Sequence, residues 1–99
     1  MIIVLGQIDY HPEDFEAAKA LAAVMMQETV KEDGCIQYAF AADLVHPNRL
    51  TLGESWRDAA ALDAHFLTPH MQAFREGLRG LRVEKRVVQR HEVSSTRDL

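Results

Sequence analysis

The sequence predicts an α+β domain of the ferredoxin-like, split β-α-β type, with its elements in the order β-α-β-β-α-β. Three observations carry this reading. Apolar stretches over residues 2–10, 35–42 and 50–56 have strand character, and a mixed apolar and charged run from Leu81 onward reads as a fourth strand. Ala-rich segments with helical spacing separate the first strand from the second and the third from the fourth. Ninety-nine residues suffice for one such domain and not for two.

In the first strand Ile2, Val4 and Ile8 share one face, and Ile3 and Leu5 the other. Both faces are apolar at its start, whereas a two-layer domain covers its sheet only on the helix side. A second copy of the chain is the expected second cover, which makes a homodimer. His11-Pro12-Glu13-Asp14 opens the first helix, with proline in the first turn and acids near its positive end. Phe15, Ala18, Ala22 and Met25 form its apolar stripe with Leu21 beside it, and Met25-Met26 reads as core filling. The helix is expected to run to Lys31 and to stop at Asp33-Gly34.

Ile36, Tyr38 and Phe40 alternate against Cys35, Gln37, Ala39 and Ala41 in the second strand, and His46-Pro47-Asn48 marks a hairpin loop. Leu50, Leu52, Glu54 and Trp56 share a face of the third strand. Asp58 caps a short helix holding Leu62 and His65, and Thr68-Pro69 is a second start signal, followed by a buried stripe of Met71, Phe74 and Leu78. Gly80 ends that segment, and Leu81, Val83 and Val87 mark the last strand. Residues 1–93 form the domain, and 94–99 read as a frayed tail.

Composition narrows the function classes. A net charge of −4 argues against nucleic acid, and the basic residues after position 74 are interleaved with acids and apolar residues rather than clustered for a polyanion. No apolar run is long enough for a membrane helix, and the start is too short for a signal peptide, so a cytoplasmic protein is the default reading. Cys35, the only cysteine, excludes an internal disulfide framework and reads as an inert thiol.

Few side chains suggest chemistry, and most of these lie between Glu54 and His70. His65 falls three residues beyond Leu62, next to the inward side of its helix, and is the best candidate for a general base. A structural, hydrogen-bonded histidine fits the same position. Glu54 is either a buried acid or base with a raised pKa or half of a structural pair, and Trp56 reads as core or interface packing. Gln7 is the one amide in an apolar strand and is expected to find a buried partner. Tyr10 and Tyr38 could supply phenolic donors. His70 reads as a solvated first-turn residue. A metal site from His65, His70 and Glu54 is the weaker reading, since no His-Glu-x-x-His pattern is present.

The string Glu32-x-Gly34-Cys35-x-x-Tyr38, then Glu54-x-Trp56, then Ala61-Leu62-x-x-His65-x-x-Thr68-Pro69-His70 and Phe74 resembles the antibiotic biosynthesis monooxygenase family. The resemblance implies a dimeric α+β barrel, in which two sheets meet face to face, and a pocket between sheet and helices in each subunit. It implies oxidation of a quinol or polycyclic phenol by dioxygen without metal or flavin. His65 would then assist proton transfer, while Gln7, Tyr38, Trp56 and His70 would bind or frame an aromatic substrate. The haem-degrading branch places an asparagine where Gln7 stands, and its tryptophan and axial histidine fall at His65 and Arg75, so the axial ligand is missing. Two further readings stay open: an isomerase or tautomerase of a small oxo-compound, and a non-catalytic small-molecule binding or stress-response module.

Overall fold

The computed structural model describes residues 1–99. Its elements are β1 (Ile2–Tyr10), α1 (Phe15–Thr29), β2 (Cys35–Ala42), β3 (Arg49–Trp56), α2 (Ala59–His65), α3 (Pro69–Leu78) and β4 (Val83–Glu92). The four strands make one antiparallel sheet in the order β2-β3-β1-β4, which is the split β-α-β arrangement. No helix is long and apolar enough to cross a membrane.

All three helices lie on one face of the sheet. Ile2, Val4, Ile8, Tyr38, Phe40, Leu50, Leu52 and Trp56 project from the strands into the core, where Ala18, Ala22 and Met25 of α1 and Leu62 of α2 meet them. Met25 and Leu62 are almost wholly buried, and each such side chain contributes about 1.5–3 kcal/mol to holding its helix down. Gly77 allows α3 to lie close on α1, because a Cβ there would meet the Leu21 side chain at 2.6 Å. The opposite face of the sheet has no cover within the chain: Leu5 is 54% exposed and Val87 45%.

Three details depart from the sequence reading. The α-helix ends at Thr29 rather than Lys31, and the chain turns through Glu32 before Gly34, whose φ is 84°. Ile36 does not share the core with Tyr38 and Phe40. A bulge between Cys35 and Gln37 puts Cys35 opposite Trp56 and leaves Ile36 60% exposed. Met71, Phe74 and Leu78 are only half-buried, because they line a cavity instead of filling the core.

Candidate active site

Two capped helix starts build the site. The Asp58 carboxylate accepts from the Ala61 amide at 2.9 Å and fixes the start of α2. Thr68 separates α2 from α3: its hydroxyl donates to the His65 carbonyl at 2.8 Å and accepts from the Met71 amide at 3.2 Å, with Pro69 in the first turn. The break leaves His65 on the inward side of α2 and carries His70 to the edge of the helical layer.

Glu32 ties these segments to the first crossover. Its Oε2 lies 2.7 Å from His65 Nδ1 and 2.7 Å from His70 Nε2. Gly34 permits the approach, since a Cβ there would stand 2.5 Å from the Ala61 Cβ, and its positive φ suits glycine. Burial lowers the His65 pKa, with the Glu32 hydrogen bond opposing, so the ring is neutral and donates from Nδ1. Its Nε2 is then a buried acceptor without a partner. Read from the sequence, Glu32 has no assigned role, and Glu54 groups with the two histidines only in the weaker, metal-site reading. Glu32, His65 and His70 are the group whose ligand atoms, all within 4.8 Å, could hold a metal. Both contacts to the shared Glu32 oxygen are of hydrogen-bond length.

Glu54 stands elsewhere, on the sheet. Trp56, fully buried and two residues along the same face of β3, donates from Nε1 to Glu54 Oε1 at 2.8 Å. The Trp56 ring packs against His65 with centroids 4.9 Å apart. Burial raises the Glu54 pKa, the Trp56 hydrogen bond pulls against it, and the Glu32 charge adds to the rise. Tyr38 is likewise pushed up, by burial first and then by the Glu54 and Glu32 charges. Burial, with the same two charges, also raises the Cys35 thiol, which is therefore protonated at neutral pH.

A cavity of about 360 Å³ opens between the sheet and the α2–α3 layer. Its walls are largely apolar, with Val4, Ile8, Phe40 and Leu52 on the sheet side and Phe66, Met71 and Phe74 on the helix side. The polar side chains lining it are Tyr38, Glu54, Arg75 and Arg86. Among the five site residues read from the sequence, only Tyr38 reaches this wall. His65 has no exposed surface, and its ring packs behind the wall, tilted against Tyr38 with centroids 5.5 Å apart. Trp56 is equally sealed, and His70 joins Glu32 outside the cavity. Gln7 lacks the expected buried partner: it is exposed on the uncovered face of the sheet, where it lines a shallow trough with Leu5, Thr51 and Val87.

The family model for antibiotic biosynthesis monooxygenase matches residues 1–77, which include every cavity-lining residue except Leu78, Arg86 and Val88. The chain belongs to the antibiotic biosynthesis monooxygenase family. It is 33% identical over 98 residues to the uncharacterized protein sll1783 of Synechocystis, covering 99% of this chain and 67% of that one. It is 30% identical over 90 residues to YgiN of Escherichia coli K12, named a probable quinol monooxygenase, covering 81% of this chain and 86% of YgiN. Among solved structures, Rv0793 of Mycobacterium tuberculosis superposes with a TM-score of 0.88 at 26% identity, covering 98% of each chain. This family membership agrees with the resemblance drawn from the Glu32–Tyr38, Glu54–Trp56 and Ala61–His70 strings.

Proposed function

We propose that this antibiotic biosynthesis monooxygenase family member oxidises a quinol or related phenol with dioxygen in the sheet–helix cavity, using only its own side chains. The observation that carries the reading is Glu54: a carboxyl at the wall of an apolar cavity, with one oxygen held by Trp56 and its pKa raised by burial. A raised pKa makes a carboxylate a stronger base, better matched to a phenolic proton. Family membership and the name of YgiN support the substrate class.

In this reading Glu54 removes the phenolic proton. The electron-rich anion reduces dioxygen, a carbon–oxygen bond forms to give a peroxide, and the oxygen–oxygen bond then breaks. One oxygen atom stays on the ring as a hydroxyquinone and the other leaves as water with the two hydrogens lost by the quinol. Tyr38, Phe40, Phe66 and Phe74 give the ring an apolar bed. His65 acts as a positioning residue rather than the base, since it is sealed behind Trp56 and spends Nδ1 on Glu32. A second copy of the chain covers the face bearing Leu5, Gln7 and Val87, giving a homodimer. Oxygen uptake with 1,4-dihydroxynaphthalene tests the activity. Turnover of an oxo-compound without oxygen consumption would instead support an isomerase using the same carboxyl.

A further inference from the structure

We propose that the cavity selects a substrate carrying an anionic group, a carboxylate or phosphate, and that Arg75 and Arg86 receive it while the oxidisable hydroxyl meets Glu54. This rests on the cavity being the substrate site.

Five of the eight arginines of this chain pair with a carboxylate, and Arg75, Arg86 and the tail residue Arg97 do not. Arg49 pairs with Asp9 at 2.6 Å, Arg57 with Asp33 at 3.3 Å, Arg79 with Glu76 at 2.9 Å, Arg82 with Asp14 at 3.0 Å and Arg90 with Glu92 at 3.9 Å. Between Arg49 and Arg90 only Arg75 and Arg86 lack a carboxylate partner, and both line the cavity. Arg75 is held by one bond, from Nη1 to the Phe66 carbonyl at 3.0 Å, which anchors it to the end of α2 and leaves its other donors unspent. Arg86 lies opposite Ile8 on β4, in step with Val88, and so faces the helices, while Lys85 and Val87 face the uncovered side.

Arg86 is set apart from Glu54 along the sheet. Glu54 is level with Val4 and Arg86 with Ile8, on strands flanking β1 from opposite sides. Four residues of strand separate the two levels by about 13 Å. Neither guanidinium contributes to the pKa of Glu54, which rises despite two cations at the same cavity. The arrangement suits an elongated ligand with an acidic hydroxyl at one end and an oxyanion at the other. A guanidinium fork binds such an oxyanion through two parallel hydrogen bonds.

Isothermal titration with 6-hydroxy-2-naphthoate and with its methyl ester tests this directly, because the two differ in one charge carried at the far end of the rings from the hydroxyl. The acid is expected to bind about tenfold more tightly than the ester, with the ratio falling as salt rises. In Arg86→Gln, and separately in Arg75→Gln, the ratio should drop toward one while thermal melting confirms the fold. Equal affinity of acid and ester, an unchanged ratio in both variants, or binding of neither compound overturns the proposal. Oxygen uptake with 1,4-dihydroxynaphthalene, measured on the same preparation, keeps the two readings distinct. Acid preference without uptake would retain the anion site and reject the oxidation; uptake without acid preference would do the reverse.

Discussion

Trp56 holds Glu54 by a 2.8 Å hydrogen bond along the same strand face, and this pair joins the packed core to the cavity. Behind the indole lies His65, and behind His65 lie Glu32 and His70. The carboxyl proposed as the base is thus oriented through a chain of contacts that reaches the edge of the helical layer.

Glu54→Gln keeps an acceptor for Trp56 and removes the charge. Turnover should fall by at least about a hundredfold. Stability should move the other way. Because burial raises the Glu54 pKa, its contribution to the fold is fully present below the unfolded value of about 4.3 and is lost as pH rises through the folded value. Thermal melting should therefore show the variant more stable than wild type by a few degrees near about pH 7, with the difference vanishing near about pH 4.

Trp56→Phe retains most of the ring packing but deletes the donor that lowers the Glu54 pKa. With Glu54 as the proposed base, kcat/KM is expected to rise with pH through its pKa. The rising limb should move to higher pH in the variant, whereas a purely structural role would lower activity at every pH without moving the limb.

Glu32 accepts from two histidines through one oxygen, so Glu32→Ala strands both donors. It should cost about 2–4 kcal/mol in urea unfolding, more than His70→Ala, which removes one partly exposed partner. The same two bonds occupy the ligand atoms a metal would need. Dialysis against a chelator should then leave both melting temperature and turnover unchanged.

The uncovered sheet face carries Leu5 and Val87 beside Gln7. Light scattering at micromolar concentration should give a dimer for wild type and a monomer for Val87→Glu, which buries a charge wherever two such faces meet. A monomeric wild type would reject a second copy as the cover of this face.

Much of this fold is legible because its signals are local. Asp58 and Thr68 announce their helix starts by residue type and make the expected capping bonds. Glu54 and Trp56 could be placed on one face because strand periodicity is short-range, but that the two bond to each other was not legible. Ile36 went astray because alternation cannot foresee an inserted bulge residue. Glu32 was missed as a partner because its contacts span 33 and 38 residues, and only the closing of the helical layer brings them together. Its place just before Gly34, at a helix–strand junction, was the one available signal. His65 was correctly placed inward, but position on a helix says nothing of what stands between a ring and a cavity.

Oxygen-isotope labelling decides whether Glu54 starts a monooxygenation inside this cavity. The most direct measurement supplies oxygen-18 gas with 1,4-dihydroxynaphthalene to wild type and Glu54→Gln, subtracts the protein-free reaction, and weighs the product by mass spectrometry. Wild type is expected to yield a hydroxyquinone bearing one labelled oxygen atom, and the variant almost none. An unlabelled product, or equal labelling by the two proteins, would contradict that role for Glu54.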